Sequence, residues 1–357
     1  MILLPRTEPD FPTVALAHAG TYGEMRAQDY AKLAYQHAHG CEHMVRASDE
    51  LVRHIDAERA PGEQGVRFEP IGNGLVRAHL SGGDARFSSA LIARMFAYTA
   101  RAFRPRENGM EDALSALERL SADGRLTVGG GEMRAFLSDY RAAGCPAVRH
   151  TDAFRRAYQP AYRVLLSDFS RYSALFSALE ALKTQKPGAI VAIDGMCASG
   201  KTTLARALAF VFDATLFHMD DFFLPPGKRT ASRLREVGGN VDYERFLSEV
   251  LVPLEGGRPF EYRPFDCHRS NFSAPVSASR ASLNIVEGAY ACHPALAERY
   301  DLSAVLLISP DEQLRRVRAR NGEGMLPRFR DEWIPMENRY IRETDLARRA
   351  NLVYDQQ

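Results

Sequence analysis

Net charge of one sign is missing from this chain of 357 residues, in which 46 Lys and Arg stand against 45 Asp and Glu. With no global field, nothing draws the whole molecule to nucleic acid or to an anionic membrane, and any affinity for phosphate has to be local. Long apolar runs are absent as well. No stretch reaches the length of a membrane span, and Met1-Ile2-Leu3-Leu4-Pro5-Arg6-Thr7-Glu8 lacks the charged start and apolar core of a secretory leader, so a cytoplasmic protein is expected. Cysteine is sparse: Cys41, Cys145, Cys197, Cys267 and Cys292 are odd in number, scattered and never in a C-x-x-C pair, which argues for reduced thiols and against a zinc site. A guanine-reading N-K-x-D element is also missing, which argues against a GTPase.

What the chain has is the make-up of an ordinary folded protein, 45% apolar and 25% charged. Its length exceeds what one hydrophobic core serves, so two domains are expected, residues 1–185 and 186–357. The boundary is placed at Lys183-Thr184-Gln185-Lys186-Pro187-Gly188, a polar stretch ending in two helix breakers. In the first half, Ala31, Leu33-Ala34 and His37, then Met44-Val45, Leu51-Val52 and Ile55, have helical spacing, which predicts one or two amphipathic helices between about Thr21 and Ala60. Gly65 to Leu80 alternates around Gly72-Asn73-Gly74 and reads as a hairpin. Further helices are expected from Phe87 to Phe103, Glu111 to Leu120, Glu132 to Ala142 and Ala161 to Leu182. No motif ties this half to a chemistry. His37, His39 and His43 have no carboxylate or thiol completing a ligand spacing and read as solvated or hydrogen-bonded residues. The aromatic and arginine residues from Phe154 to Tyr162 read as helix packing.

The second half opens on its strongest signal. Ile190-Val191-Ala192-Ile193 reads as a buried strand, Leu204-Ala205-Arg206-Ala207-Leu208 as a helix, and between them stand Gly195, Met196, Cys197, Ala198, Ser199, Gly200, Lys201, Thr202 and Thr203, with the spacing of a Walker A loop. Such a loop aims backbone N–H groups and a helix N-terminus at one point, where a di- or triphosphate can sit. Lys201 would reach the β- and γ-phosphates, and the Thr202 hydroxyl would ligate Mg²⁺. Cys197, inside the loop, reads as a small residue without a redox role.

A second strand, Ala214 to His218, delivers Asp220 and Asp221 at its C-terminal end, where open α/β sheets bind ligands. A carboxylate there can accept a proton from an attacking hydroxyl; alternatively the pair caps a turn. Gly238 to Tyr243 opens a helix to about Leu254, with Asp242 as its cap. The run Phe260 to Arg269 places aromatic rings beside Asp266 and His268, which suits a pocket for a ring or polyol, or a hairpin closed on the core by Tyr262 and Phe265. Glu287, ending the strand Leu283 to Val286, is placed as a metal ligand or a structural acid. A fourth strand, Ala304 to Ile308, leads into a helix with Arg315, Arg316, Arg318 and Arg320, of which Arg316 and Arg320 share a face. Asn321 to Gly324 offers a hinge, Arg328 and Arg330 follow, Trp333 is expected to anchor the last helices, and Asn351 to Tyr354 reads as a fifth strand.

Together, Gly195 to Thr203, Asp220-Asp221-Phe222-Phe223, Tyr262 to Asp266 and Ile285 to Gly288 resemble the uridine kinase and phosphoribulokinase family of P-loop kinases, over the last half of the chain. The resemblance implies that Asp220 is the general base and that Glu287 lies near Mg²⁺ and substrate. Asp221 stands where uridine kinases often carry Ser; a second Asp is usual in the nicotinamide riboside kinase branch. In uridine kinases a Tyr-Asp pair with a following His helps hold the nucleoside; here Phe265 replaces the Tyr, and His268 stands closer. The arginines after the fourth strand resemble a lid helix that holds the transferring phosphate.

The expectation is therefore an α/β P-loop kinase-like domain, a five-stranded mostly parallel sheet with helices on both faces, after a mostly helical α+β N-terminal domain. Its function would be ATP- and Mg²⁺-dependent transfer to a hydroxyl of a small molecule, such as a nucleoside, related riboside, sugar or polyol. Asp220, Lys201, Arg316 and Arg320 are the catalytic candidates, Thr202 and Glu287 the metal candidates, and Asp221, Tyr262, Phe265, Asp266 and His268 the acceptor candidates. No nucleic-acid or membrane partner is expected; a homodimer is open. The rival is a nucleotide-sensing regulatory protein with no small-molecule acceptor.

Overall fold

A computed structural model describes residues 9–41, 49–60, 62–267 and 269–356; His43 and His268 lie outside them. The chain divides into two compact units, Met1–Ser177 and Ala178–Gln357, so the division falls inside the helix Ser173–Gln185.

In the first unit the hairpin forms at the expected place. Gly65–Gly72 pairs antiparallel with Leu75–His79, and Asn73 and Gly74 both take positive φ, 55° and 75°, the conformation that a two-residue hairpin turn requires. Helices Ala27–His39, Asp49–Glu58, Ser89–Ala102, Gly109–Ala122 and Gly130–Ala142 follow the apolar spacing. A further helix, Phe11–Thr21, starts at Asp10, whose carboxylate accepts the Thr13 N–H at 2.9 Å, with Pro12 in the first turn.

The helix expected from Ala161 to Leu182 is not continuous. Tyr162–Leu166 is a strand, paired antiparallel with Leu75–His79, and helices Ser167–Arg171 and Ser173–Gln185 follow it. The buried hairpin strand offers Tyr162-Arg163-Val164-Leu165-Leu166 a ladder that its aromatic and β-branched residues favour.

The second unit is built on five parallel strands in the spatial order Leu352–Gln356, Leu302–Ile308, Ala189–Gly195, Leu283–Glu287, Thr215–His218. The central strand Ala189–Gly195 is buried along its whole length, as its apolar run predicts for a parallel sheet covered on both faces. Ile190, Ala192, Phe217 and Val286 pack with Phe246, Val250 and Leu254 of the helical segment 243–256 on one face. The helix Lys201–Phe212, none of whose side chains joins that cluster, packs on the same strands from the other. Because every strand runs the same way, Gly195, His218, Glu287 and Ile308 emerge at a single edge.

Candidate active site

At that edge lies a cleft of about 870 Å³, by two neighbouring strands whose outgoing connections run in opposite directions, Ala189–Gly195 toward Thr215–His218 and Leu283–Glu287 back across to Leu302–Ile308. Its floor is the phosphate loop. Gly195 has φ +131°, and a Cβ there would stand 2.0 Å from the Leu306 carbonyl oxygen; Ala198 and Gly200 also take positive φ. The Met196 N–H donates to that carbonyl at 3.1 Å, which ties the loop to the neighbouring strand. Lys201 lies folded along the loop, its Nζ donating to the carbonyls of Gly195 and Met196 at 2.9 and 2.8 Å. The Cys197 N–H donates to Glu337 Oε2 at 2.8 Å, Gln313 Nε2 donates to the Cys197 carbonyl at 3.1 Å, and Arg316 Nη1 to the Ala198 carbonyl at 3.2 Å. Burial, with Glu337 alongside, pushes the Cys197 thiol up to about 12, so it stays protonated.

Beneath the loop, Asp194 is fully buried. It accepts the N–H groups of Gly195, Tyr290 and Cys292 at 2.6, 3.0 and 2.8 Å and the Tyr340 hydroxyl at 2.8 Å, joining the loop, the turn after Leu283–Glu287 and the helix Ile334–Glu343. Burial raises its carboxyl, and these hydrogen bonds pull the other way.

Asp220 stands on the short turn Met219–Phe222 that follows the strand Thr215–His218. It touches solvent through the cleft, yet protein atoms surround it on the other sides. That desolvation raises its carboxyl above the ordinary value of 3.8, against the pull of Lys201; Glu287 adds to the rise, and His218 and Arg320 oppose it. Glu287, buried, accepts the Thr202 hydroxyl at 3.2 Å and His218 Nδ1 at 2.5 Å. That hydrogen bond raises the His218 imidazole against its own desolvation. Among the described residues no group of three or more His, Cys, Asp or Glu forms a ready-made metal cage. Mg²⁺ needs none, since it takes one or two protein oxygens and completes its shell with phosphate and water, and the Thr202 hydroxyl and Glu287 carboxylate are oxygens of that kind beside the loop.

The cleft brings together Cys197, Ala198, Gly200, Lys201, Thr202, Thr203, Asp220, Glu287, Arg316 and Arg320. Gly195, Met196 and Ser199 lie behind its surface, in the frame of the loop. Arg315 and Arg318 do not line it and pair instead with Glu312 and Glu323. Four of the acceptor candidates are placed elsewhere. Tyr262 lies in the core, its ring 5.7 Å from Phe222 and 5.8 Å from Phe217. Phe265 packs on Phe272, Asp266 accepts the Arg269 N–H, and Asp221, half-buried, is likewise outside the cleft lining. The fifth, His268, is not described. The run from Phe260 thus forms two short antiparallel pairs, with Val276–Ala278 and with Asn271–Phe272.

Other walls carried no local signal. Trp333, expected as an anchor, lines the cleft with Arg328 stacked over it at 4.7 Å and Phe329 edge-on at 4.5 Å. Asn240, Tyr290 and Glu337 reach the site from segments far apart in sequence. Only the surplus of Arg from Arg315 to Arg330 hinted at a cationic wall.

No family model matches the chain, and no curated protein matches it. Solved structures do. A protein from Bacillus stearothermophilus described as a possible uridine kinase is 21% identical, covering 53% of this chain and 100% of its own, with a TM-score of 0.41. A protein of Silicibacter sp. TM1040, provisionally described as a fructose transport system kinase, is 22% identical over 50% of this chain and 95% of its own, with a TM-score of 0.35. Shikimate kinase from Bacteroides thetaiotaomicron is 13% identical over 47% and 86%, with a TM-score of 0.27.

Proposed function

We propose that the second unit is a small-molecule kinase, which transfers the γ-phosphoryl of ATP, with Mg²⁺, to a hydroxyl of a nucleoside, related riboside, sugar or polyol. One juxtaposition carries the reading: Asp220, a carboxyl held above its ordinary range, lines the same cleft as Lys201, Thr202, Arg316, Arg320 and Arg328. A nucleotide-sensing switch has no use for such a base, nor for a cleft with room for a second molecule beside the phosphates.

In this mechanism the loop amides and Lys201 hold the β- and γ-phosphates. Thr202 and Glu287 are the residues that would hold Mg²⁺, which supplies charge neutralisation at the phosphate oxygens when bound. Asp220 accepts the acceptor's hydroxyl proton as the new O–P bond forms and the bond to ADP breaks. Arg316, Arg320 and Arg328 balance the charge on the moving phosphoryl group, while Phe329 and Trp333 limit water on that side.

The test is ADP release with Mg²⁺ and ATP across nucleosides, sugars and polyols, beside an Asp220→Asn variant. The expected result is stimulation by one acceptor class and a loss of about 10²–10⁴-fold in the variant, with ATP binding retained. If no acceptor stimulates release and the variant matches the parent, the kinase reading fails and the switch replaces it.

A further inference from the structure

The first unit contains its own cavity of about 870 Å³, unrelated to any motif in the sequence. Into its wall runs a chain of hydrogen bonds whose direction is fixed from both ends. The guanidinium of Arg77, only 1% exposed, can only donate, and its Nε and Nη2 meet Gln36 Oε1 at 3.0 and 2.8 Å. That orients the Gln36 amide, so its Nε2 donates to the Tyr162 oxygen at 3.3 Å. At the other end Asp29, fully buried, accepts from Arg26 N–H, Thr151 N–H and Thr151 Oγ1, and these bonds with that of His150 hold it ionised against the cost of burial. His150 Nδ1 lies 2.9 Å from Asp29 and therefore carries the proton; burial brings this imidazole down to about 4, so it is neutral. Its Nε2 then accepts the Tyr162 hydroxyl proton at 2.7 Å. Every donor from Arg77 to Asp29 points the same way, and Gln36, Tyr162 and His150 all line the cavity.

Such a network is costly to bury, and only its Asp29 end caps helices, accepting the N-cap N–H of Ala27–His39 and the hydroxyl of Thr151, the N-cap of Asp152–Tyr158. Between Gln36 and His150 it fixes the side chain of Tyr162, a residue of the cavity wall, in one orientation. Four cationic side chains stand in the same lining, Lys32, Arg149, Arg155 and Arg163. Lys32 donates to the Val148 carbonyl at 3.0 Å, and burial, with Arg77 nearby, brings its ammonium down to about 8. Arg149 is exposed, and neither it nor Lys32 forms an ion pair among the described residues. Arg163 pairs with Glu58 at 2.8 and 3.0 Å and Arg155 with Asp152 at 2.8 Å, which leaves Glu50 as the one acid of the lining with no ion pair among the described residues. Phe96 adds an apolar face.

We propose that this cavity is a second ligand site, for a small molecule that carries a phosphate or carboxylate group. Lys32 and Arg149 supply the counter-charge and Tyr162 fixes the orientation. The site belongs to the first unit alone and does not depend on the kinase reading.

Lys32 is itself the reporter. The lysines of the chain are Lys32, Lys183, Lys186, Lys201 and Lys228, and their acylation in the full-length protein can be followed separately by peptide mass spectrometry. The probes are inorganic phosphate and succinate, each against sodium chloride of equal ionic strength, with Lys201 marking phosphate bound at the loop of the second unit. The expected result is saturable slowing of Lys32 acylation, about tenfold or more, by one probe, with its half-effect concentration raised about tenfold in Arg149→Ala and in Tyr162→Phe. Protection by phosphate alone identifies a phosphoester, and by succinate alone a carboxylate. Arg149 is exposed, so its truncation tests the site without threatening the fold. The proposal is overturned if neither probe slows Lys32, if slowing follows ionic strength alone, or if it is unchanged in Arg149→Ala.

Discussion

Desolvation by surrounding protein atoms raises three aspartates of the second unit, Asp194, Asp220 and Asp221, and the first two differ in what faces them. Asp194 is ringed by four donors and has no opening; Asp220 faces a cleft, with a lysine opposite. A base has to be ionised, so with Asp220 as the base kcat/KM rises with pH along a limb lying above the ordinary aspartate range, and the rate is lost as pH falls through that raised value. The pH profile of the parent checks this; a limb that persists in the residual activity of Asp220→Asn belongs to another group. For Asp194 the expected effect is on stability. Asp194→Ala leaves three backbone N–H groups and the Tyr340 hydroxyl without their acceptor, and urea unfolding should show a loss of at least about 2 kcal/mol. Asp220 was legible in the sequence because it follows a strand end at a fixed distance. The role of Asp194 was not, because its partners Tyr290, Cys292 and Tyr340 come from remote segments and no spacing records them.

Among the elements, the phosphate loop could be read because all its determinants are local: a buried strand, glycines where φ is positive, a helix start. Gly195→Ala tests how strictly that geometry is required. With φ at +131° and the Leu306 oxygen 2.0 Å from the new methyl, the loop has to move, and the expected cost is of order 1–3 kcal/mol for the strained backbone alone, together with lost ATP binding, read by unfolding and by nucleotide titration. The strand Tyr162–Leu166 failed to show itself for the opposite reason. Its apolar spacing suits a helix as well, and only the ladder offered by Leu75–His79 decides between them. Tyr262 and Phe265 repeat the lesson at the site: rings beside Asp and His suggest a pocket, but their faces are spent on Phe217, Phe222 and Phe272.

For the molecule as a whole, near-neutral charge is compatible with local groups of cations, Lys201, Arg229, Arg316, Arg320 and Arg328 in one cavity and Lys32, Arg149, Arg155 and Arg163 in the other. Each unit also has its own sheet and its own core. A ligand confined to one unit stabilises that unit by mass action, about 2.7 kcal/mol at a hundred times its Kd. Calorimetry with Mg²⁺ and ATP should therefore raise one unfolding transition and leave another in place; a single transition that moves as one would show that the units unfold together.

The strand order has a consequence for how the chain is made. The central strand Ala189–Gly195 pairs on one side with Leu283–Glu287 and on the other with Leu302–Ile308, and both leave the ribosome long after it. The phosphate loop is therefore synthesised well before the carbonyl of Leu306 that anchors it, and before Glu337, which holds its Cys197 amide. The hairpin of the first unit, Gly65–Gly72 with Leu75–His79, meets its partner as soon as it emerges. During translation the N-terminal unit can be complete while the Gly195–Thr203 loop is still an unsupported ribbon, so the nascent chain's exposure to chaperones and proteases is concentrated in its second half.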